Sequence, residues 1–429
     1  MVKRTIGIIG LGTVGAAFLT QMKREASFIR TNVEIDIKIG MVCDLDPKAR
    51  RLAKKCKVPY TRDANKLIND PRIDIVVELI GGLYPAKEFI ISALKNGKDV
   101  VTANKALLAH SGREIFSLAY RLGRSVKFEA AVAGGIPLIK NVSEVLRFGR
   151  IRNIYGILNG TTNFILSQMS KDQISFSKAL TEAKEKGFAE RDPSLDIKGI
   201  DSFHKISVLS FLCFGAFPKM EEVIVDGIGR IDVSDILYAK EMGLSIKLLA
   251  IAKRQGAKID LRVHPALIPE DHPLAKTSSV SNAVFINTES AGNFFFSGPG
   301  AGGKSTSLSV LSDVLSLCNQ KKAWVLKAAR LKGLFRSKGE LDSRYYLRFS
   351  ALDRPGVLAK VSRILSDLGI SIASVGQKER GEPASRSKFV PIVMLTHKAK
   401  ESSISKAMQR IDRLSIIKAP TQIIRIENL

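Results

Sequence analysis

The chain has 429 residues, of which 45% are hydrophobic and 25% charged, and its formal net charge is +26. A chain of this length divides into about two to four domains, and the lack of any apolar run of about 18 residues excludes a transmembrane helix. The basic residues are spread along the whole chain without a recognised nucleic-acid-binding module, so we interpret the charge as a lysine-rich surface and expect no nucleic acid and no membrane as partners.

Short strands and helices alternate in the first third of the chain. The predicted elements are strands at residues 5–9, 35–43, 74–78, 99–102 and 125–128, and helices at residues 16–24 and 86–96. This alternation is typical of an α/β domain with a doubly wound parallel sheet of the Rossmann type. We predict that this domain covers residues 1–133 and is completed by residues 300–319.

The pattern changes from about residue 134 onwards. The predicted elements are helices at residues 176–186, 202–214 and 234–254, and segments of alternating polarity at 259–268 and 282–288. Long helices beside alternating strands indicate an α+β arrangement. We therefore predict a second, α+β domain over residues 134–319.

A linker and a small third domain complete the chain. The linker covers residues 320–344, and its basic segment at 321–338 has apolar residues at helical spacing, which predicts an amphipathic connecting helix. The elements predicted after it are strands at residues 345–352, 371–377, 388–396 and 416–426, and helices at 356–368 and 403–412. This βαββαβ order predicts a ferredoxin-like domain over residues 345–429.

A glycine-rich motif, GLGTVG, occupies residues 10–15 between the first strand and the first helix. In that context Gly10 permits a tight turn, Gly12 lets the backbone approach a pyrophosphate, and Gly15 lets the helix pack close to the strand. The helix N-terminus that follows presents free N–H groups to the phosphates. The motif therefore predicts a dinucleotide cofactor, the alternative being a glycine turn without a ligand.

The residues after the second strand bear on which dinucleotide is bound. An acidic residue there binds the ribose hydroxyls of NAD, whereas a basic residue accommodates the 2′-phosphate of NADP. Asp44 and Asp46 supply the first signal, and the second comes from Lys48, Arg50 and Arg51. Asp46 could equally cap the next helix, with Pro47 at its first position. The cofactor is thus NADP or NAD.

Two regions carry candidate catalytic groups. Lys105 follows a predicted strand at the edge where ligands bind in such sheets, although a surface lysine is the alternative. Asp201 and Lys205 lie four residues apart at the start of a predicted helix and share a face, where the carboxylate can orient the lysine for proton transfer. The alternative is a helix cap with an ordinary ion pair.

Several separated motifs occur in a fixed order along the chain. They are GLGTVG at residues 10–15, VELIGG at 77–82, VTANKALL at 101–108, FEAAVAGGIP at 128–137, GILNGTTN at 156–163, the acidic segment at 190–205, and GPGAG at 298–302. Together they resemble the homoserine dehydrogenase family. The C-terminal motifs LDRPGVL at 352–358 and LGISIAS at 368–374 resemble an ACT regulatory domain.

The resemblance implies specific roles for individual residues. Lys205 resembles the proton donor to the substrate carbonyl, Asp201 the acid that orients the site, and Lys105 a lysine that contacts substrate and cofactor. Glu190 and Asp196 resemble the acids that receive the substrate ammonium. The cofactor-binding residues implied are Gly10, Gly12, Thr13, Val14, Gly15, Thr102, Lys105 and Gly302. A structural cation, expected to be sodium, is implied at Glu129, Val132, Gly134 and Ile136.

The activity implied by the resemblance is the reversible NAD(P)H-dependent reduction of L-aspartate 4-semialdehyde to L-homoserine, in threonine, methionine and isoleucine biosynthesis. The resemblance further implies a homo-oligomer, either dimer or tetramer, whose middle domain serves catalysis and dimerisation. Threonine is the effector expected at the ACT domain, near the turn at residues 353–356, the alternative being an oligomerisation module without ligand. Cys43 stands where many relatives carry an arginine for the 2′-phosphate.

Two other functions fit parts of the sequence. One is another amino-acid dehydrogenase on the same scaffold. The other is a non-catalytic amino-acid sensor that binds acidic polymers through its basic surface.

Cysteine usage and the N-terminus indicate the compartment. The four cysteines, which have no paired spacing, are Cys43, Cys56, Cys213 and Cys318. Such spacing favours reduced thiols over disulfides or a zinc site. The chain begins with MVKR and enters a short strand without the pattern of a signal peptide. We therefore expect a cytoplasmic protein.

Overall fold

The computed structural model describes residues 1–319, 334–377 and 388–429. The chain forms two compact units. The first unit contains Met1–Gly160, Asp201–Pro218 and Val280–Leu334. The second unit contains Thr161–Ile200, Lys219–Ser279 and Phe335–Leu429. Each unit is therefore built from segments that are distant in sequence.

A parallel sheet with helices between its strands forms the start of the first unit. Its strands are β1 (Val2–Ile9), β2 (Ile35–Cys43), β3 (Tyr60–Thr61), β4 (Ile75–Glu78), β5 (Asp99–Thr102) and β6 (Val126–Lys127). Its helices are α1 (Thr13–Val33), α2 (Pro47–Lys55), α3 (Ala64–Ile68), α4 (Ala86–Lys95) and α5 (Lys105–Arg121). The strand order is β3-β2-β1-β4-β5-β6. This confirms the predicted doubly wound parallel sheet.

The middle of the chain contributes to both units. Its elements are α6 (Leu138–Phe148), β7 (Ile151–Ile157), α7 (Gly160–Asp172), α8 (Phe176–Glu185), α9 (Ser194–Ile197), α10 (Ile200–Phe214), β8 (Ile224–Val225), α11 (Val233–Glu241), β9 (Leu244–Gln255), β10 (Lys258–Pro269), α12 (Pro273–Lys276), β11 (Ser281–Thr288), β12 (Asn293–Pro299) and α13 (Gly303–Cys318). In the first unit, β11 pairs antiparallel with both β7 and β12. In the second unit, β9 and β10 form a long antiparallel pair.

The hydrophobic core of the first unit joins its two ends. Val310, Val314 and Leu317 of α13 are buried in one cluster with Ile8 of β1 and Phe18 of α1. Burial of these large side chains contributes about 1.5–3 kcal/mol each relative to exposure. Helix α13, although late in sequence, thus packs against the strand and helix that flank the glycine loop.

The predicted helix over residues 234–254 is wrong in its second half. Helix α11 ends at Glu241, Gly243 adopts a positive φ of 67°, and β9 begins at Leu244. Seven consecutive residues of β9 are buried. A strand buried on both faces shows a continuous apolar run instead of alternation, and periodicity does not distinguish such a run from a buried helix.

The last part of the chain belongs to the second unit. Its elements are β13 (Leu334–Phe335), β14 (Asp342–Leu352), α14 (Val357–Asp367), β15 (Ile372–Gln377), β16 (Phe389–Thr396), β17 (Ala399–Lys400), α15 (Glu401–Ile411) and β18 (Gln422–Ile426). The predicted βαββαβ order is confirmed, with the short β17 added. The final strand is shorter than predicted, since Ile417 forms only an isolated bridge with Ala351.

The predicted connecting helix at residues 321–338 falls largely outside the described residues. For its described end the prediction is wrong: Leu334 and Phe335 form β13, and Lys338 begins a short 3-10 helix. Within residues 1–319, 334–377 and 388–429, no helix combines the length and the hydrophobicity needed to cross a bilayer.

Strand β18 connects two parts of the second unit. It pairs antiparallel with β14 and parallel with β10. Just beyond it, the carboxylate of Glu427 forms ion pairs with Lys253 at 2.6 Å and Arg262 at 3.1 Å, and all three side chains are at most 15% exposed. The C-terminal βαββαβ fold is therefore continuous with the β9–β10 pair through hydrogen bonds and buried charges.

Candidate active site

Three glycines shape the loop between β1 and α1. Gly10 has a φ of 97°, which L side chains rarely adopt, and a Cβ atom on Gly15 would lie 2.0 Å from the Gly10 carbonyl oxygen. A Cβ on Gly12, by contrast, would meet no atom within 4 Å. Gly10 and Gly15 are thus required by the loop itself, whereas Gly12 leaves open space beside the backbone.

Two helix N-termini meet at this loop. Helix α1 begins after Gly12 and α13 after Gly302, and neither has a side-chain cap. A Cβ on Gly303 would lie 3.2 Å from both the side chain and the carbonyl oxygen of Thr13, so the two first turns are adjacent. Uncapped helix N-termini present free N–H groups and partial positive charge, which suit a pyrophosphate.

The acidic residues after β2 have distinct structural tasks. The Asp44 carboxylate accepts hydrogen bonds from the backbone N–H groups of Leu11 (2.5 Å) and Asp46 (2.8 Å), and so fixes the glycine loop. Asp46 accepts from Lys48 N and caps α2, with Pro47 in the first turn. The capping interpretation of Asp46 is therefore confirmed. The basic residues Lys48, Arg50 and Arg51 are exposed.

A buried carboxylate binds two lysines in the first unit. The Lys205 Nζ lies 2.7 Å from Asp201 Oδ2, and the Lys105 Nζ lies 3.1 Å from Asp201 Oδ1. Lys205 also donates to the Leu158 carbonyl oxygen at 2.6 Å. The side chain of Lys205 is 10% exposed and that of Lys105 is 41% exposed. The lysine–carboxylate cluster, meaning Lys105, Asp201 and Lys205, was predicted from two separate motifs, and the structure brings them together.

Local sequence explains how the cluster is positioned. Asn104 caps α5 by accepting from Leu107 N, which places Lys105 at the first residue of that helix, directly after β5. The four-residue spacing puts Asp201 and Lys205 on one face of α10. Burial opposes ionisation of Asp201, but the charges of Lys205 and Lys105 and hydrogen bonds from Lys205 and Asn159 prevail and hold its pKa well below the usual value. Asp201 is therefore a permanent anion at neutral pH.

Two asparagines of this site had no assigned role in the sequence analysis. Asn159 Nδ2 donates to Asp201 Oδ2 at 2.9 Å. Asn282 Nδ2 donates at 3.0 Å to the Leu158 carbonyl oxygen, the same atom that accepts from Lys205. Asn159 lies in the GILNGTTN motif, which offered a signal. Asn282 lies in an alternating strand, where only the inward position of a polar side chain could have indicated a role.

Asn282 also contacts the second glycine-rich loop, GPGAG at residues 298–302. A Cβ on Gly300 would lie 2.0–2.2 Å from the amide atoms of Asn282, so only glycine fits there. Asn282 is fully buried, and its Oδ1 atom has no hydrogen-bond partner among the described residues. One side chain thus lies between the carbonyl group that holds Lys205 and the loop that leads into α13.

Thr102, predicted to bind cofactor, has its hydroxyl group occupied. It donates to Glu78 Oε2 at 2.6 Å and accepts from Asn104 N at 3.0 Å. Burial raises the pKa of Glu78, a change that its hydrogen bonds oppose. The side chain of Thr102 therefore joins β4 to β5 and orders the turn before Lys105, which leaves its backbone for any cofactor contact.

The predicted substrate acids lie in the second unit. Glu190 is exposed, and Asp196 is half-buried in the short helix α9. Both precede Ile200, the last residue of that segment of the second unit, after which the chain continues into Asp201. Their contact with a substrate ammonium stays a prediction.

The predicted cation loop is well ordered by hydrogen bonds. The Glu129 carboxylate accepts from Ile139 N (2.7 Å) and Lys140 N (2.9 Å) at the start of α6, which fixes its orientation. The Gly134 carbonyl accepts from Ser309 Oγ, yet a carbonyl oxygen has two lone pairs. The Ile136 carbonyl likewise accepts from Leu138 N at 2.7 Å. A cation bound by these carbonyls stays a prediction. Within the described part of the chain, no three His, Cys, Asp or Glu residues are grouped to hold a metal ion.

Fold and site define the class of the protein. The first unit combines a parallel sheet, a glycine loop at two helix N-termini and a lysine–carboxylate cluster. Together these features define a nicotinamide-dependent oxidoreductase. Family signatures agree: "Homoserine dehydrogenase, NAD binding domain" matches residues 10–129, "Homoserine dehydrogenase" residues 137–315, and "ACT domain" residues 345–415.

Similar proteins extend this match over the whole chain. A homoserine dehydrogenase of Neisseria gonorrhoeae is 39% identical over 99% of this chain and 98% of its own length. The crystal structure of one from Thiobacillus denitrificans is 39% identical with a TM-score of 0.91, covering 99% of this chain and 98% of that one. A hyperthermophilic archaeal one, in complex with NADPH, is 27% identical with a TM-score of 0.63, covering 75% of this chain and 100% of that one. The chain belongs to the homoserine dehydrogenase family and is an NAD(P)-dependent oxidoreductase with an ACT domain.

Proposed function

We propose that the lysine–carboxylate cluster is the catalytic centre for the reversible reduction of L-aspartate 4-semialdehyde to L-homoserine. The observation that carries this is the pair of ammonium groups on one buried carboxylate, in the unit that also holds the glycine loop. Reduction of an aldehyde needs a hydride donor and a proton donor. When bound, a reduced nicotinamide supplies the hydride.

Lys205 is the proton donor in this proposal. Its ammonium has three N–H groups, and within the described residues two are bonded, to Leu158 O and to Asp201. The third is available for the substrate carbonyl oxygen, which gains negative charge as the hydride arrives. In the oxidative direction the neutral amine accepts the hydroxyl proton. Asp201 and Leu158 O fix the position of Nζ in both directions.

Lys105 is the second cation of the centre. Its side chain is more exposed than that of Lys205, and it shares the Asp201 carboxylate. A positive charge beside the developing oxyanion stabilises it and attracts the substrate carboxylate. We assign Lys105 to substrate and cofactor contact, and Glu190 and Asp196 to the substrate ammonium, whose charge they complement.

The cofactor-binding residues proposed are Gly10, Gly12, Thr13, Val14, Gly15, Thr102, Lys105 and Gly302. The two adjacent helix N-termini support this assignment for the pyrophosphate. Asp44 favours NAD, whereas exposed Lys48, Arg50 and Arg51 favour NADP. The homologous archaeal structure contains NADPH. Initial rates with each cofactor decide the preference.

Further proposals concern ions, regulation and assembly. We assign sodium to the backbone carbonyls of Glu129, Val132, Gly134 and Ile136. We assign threonine inhibition in biosynthesis to the ACT domain, whose Gly356 has a φ of 85° at the turn before α14. We further propose a homo-oligomer, dimer or tetramer, located in the cytoplasm, where its four unpaired cysteines stay reduced.

The experiment that tests this function is a spectrophotometric assay. Purified protein is mixed with L-homoserine and NADP or NAD, with and without threonine, and formation of the reduced nicotinamide is followed by its absorbance. We expect turnover with at least one cofactor and slower turnover with threonine. Folded protein without activity towards either cofactor would contradict the proposal, whereas activity with homologous amino-alcohols but not homoserine would point to another amino-acid dehydrogenase.

Replacing Asn282 tests its part in holding Lys205. We expect Asn282→Ala to lower kcat by about 10- to 100-fold, because a small displacement of Nζ misaligns proton transfer. The KM for homoserine should stay within about twofold, since the variant removes no group that we assign to substrate binding. The matched control is Asn287→Ala, an asparagine of the same strand whose side chain bonds to Asn293. Equal kinetics for the two variants would show that Asn282 is not needed to hold Lys205 in position.

A further inference from the structure

A buried carboxylate that has no role in the proposed mechanism lies near the turn that carries Lys105. Glu78, the last residue of β4, is completely buried. Burial raises the pKa of its carboxyl group, and among the described residues no basic side chain forms an ion pair with it. Burying an unpaired carboxylate costs free energy, and hydrogen bonds to it must offset that cost. The bonds that Glu78 accepts therefore indicate why an acid stands at this position.

The Glu78 carboxylate joins two turns at one edge of the parallel sheet. On one side, Oε1 accepts from the backbone N–H groups of Ile80 at 2.9 Å and Gly81 at 3.4 Å. On the other side, Oε2 accepts at 2.6 Å from the hydroxyl group of Thr102, the last residue of β5. Since β4 and β5 are parallel neighbours, both turns lie at the carboxyl edge of the sheet, where ligands bind in such folds.

The first of these turns packs against the glycine loop. A Cβ atom on Gly10 would lie 2.7 Å from the backbone of Leu79 and 2.8 Å from the side chain of Ile80. A Cβ on Gly15 would lie 3.7 Å from a methyl group of Leu79. The turn that Glu78 holds is thus in direct contact with the loop at which we place the pyrophosphate.

The second turn carries Lys105. The Thr102 hydroxyl group, which donates to Glu78, accepts from Asn104 N at 3.0 Å. The Asn104 side chain donates to the Gly82 carbonyl oxygen at 2.7 Å and caps α5, whose first residue is Lys105. A continuous chain of hydrogen bonds therefore runs from the turn beside the glycine loop, through Glu78, to the start of the helix that carries Lys105.

We propose that Glu78 is a positioning residue, whose carboxylate fixes the Lys105 ammonium beside Asp201 and relative to the glycine loop. Glutamine fits the same space but cannot replace this carboxylate. With its oxygen towards Ile80 N, its NH2 group faces the Thr102 hydroxyl, whose proton then loses its acceptor. The reversed amide leaves Ile80 N without an acceptor instead. This inference rests on the role in substrate and cofactor contact that we propose for Lys105.

Kinetics of Glu78→Gln in two backgrounds test whether Glu78 acts through Lys105. We expect this variant to lower kcat/KM for homoserine by about 10- to 30-fold, because a displaced ammonium stabilises the reacting carbonyl group less well. In a Lys105→Met background the same change should lower it less than about threefold, since residues that act as a unit are not additive. The melting temperature should stay within about 3 °C, because burial of a neutral amide instead of a carboxylate offsets the lost hydrogen bond. Equal losses in the two backgrounds would overturn the proposal.

Two further variants complete the kinetic test. Thr102→Val removes the hydroxyl group but keeps Glu78 and the side-chain shape, and we expect a similar loss with the same dependence on Lys105. Asp99→Asn is the matched control, because the Asp99 carboxylate accepts from Ser125 N at 2.8 Å at the opposite end of β5. It should leave kcat/KM within about twofold. If neither Glu78→Gln nor Thr102→Val folds, the carboxylate is a structural group and the proposal fails.

Chemical labelling reports the position of Lys105 without any need for turnover. A succinimide ester acylates neutral amines, and peptide mass spectrometry gives the rate at each lysine. We expect Glu78→Gln and Thr102→Val to raise the rate at Lys105 several-fold relative to Lys95, an exposed lysine of α4, because an ammonium released from Asp201 loses its proton more easily. Unchanged labelling would overturn the proposal. Faster labelling of an enzyme that is inactive towards homoserine would contradict the proposed function and not this inference.

Discussion

Replacing Lys205 by methionine is expected to lower kcat by about 10³-fold, which is typical for loss of a general acid–base group. Methionine has a similar length but no proton to donate, and it leaves Asp201 paired with Lys105. The Kd of the reduced cofactor should stay within about twofold, because the glycine loop is untouched. Single-turnover kinetics and fluorescence titration of the cofactor measure the two quantities.

Two further variants make this result specific. Lys205→Arg retains a positive charge beside Asp201, but an arginine does not release its proton at neutral pH, so we expect equally low activity. Lys98→Met is the matched control: Lys98 is 4% exposed and its Nζ donates to the carbonyl oxygens of Asp70 and Ile73. We expect it to cost stability and to leave kcat intact. A Lys205→Met enzyme with normal kcat would assign the proton to another group.

Replacing Gly12 by alanine is expected to weaken cofactor binding strongly without disturbing the fold. Gly12 has a φ of −64°, which alanine adopts readily, and its added Cβ would meet no atom within 4 Å. The melting temperature should therefore change by no more than about 2 °C. The methyl group would occupy space beside the first turns of α1 and α13, where we place the pyrophosphate. We expect the Kd to rise about 100-fold, which is about 2.7 kcal/mol.

The neighbouring glycines provide contrasts for this measurement. Gly15→Ala brings a Cβ within 2.0 Å of the Gly10 carbonyl oxygen, so it should lower both the melting temperature and cofactor affinity. Gly376→Ala, in β15, also meets open space and should alter neither. If Gly12→Ala bound cofactor as tightly as Gly376→Ala, the pyrophosphate would have to lie elsewhere.

Local pattern was sufficient for much of this molecule. The alternation of strands and helices, the glycine spacing at residues 10–15 and the final βαββαβ order predicted folds that the structure confirms. These features depend on backbone conformation and on periodic burial, which short stretches of sequence encode. Separated motifs in a fixed order carried the family resemblance, which the homologous sequences confirm.

Other features were decided only by tertiary contacts. Residues 244–255 form a strand instead of a helix because neighbouring elements bury both faces, and apolar periodicity by itself does not distinguish the two. Asp46 carried two interpretations until its hydrogen bond to Lys48 N identified it as a cap. Thr102 proved to join two strands through its hydroxyl group.

The sequence by itself determined the class of cofactor, the family, and the candidate residues Lys105, Asp201 and Lys205. The tertiary structure decided that one buried carboxylate holds both lysines, and that Asn282 shares a carbonyl partner with Lys205. The physical reason is that these bonds join residues far apart in the chain. Their distances depend on how β5, α10 and β11 pack, and packing geometry is a property of the whole fold.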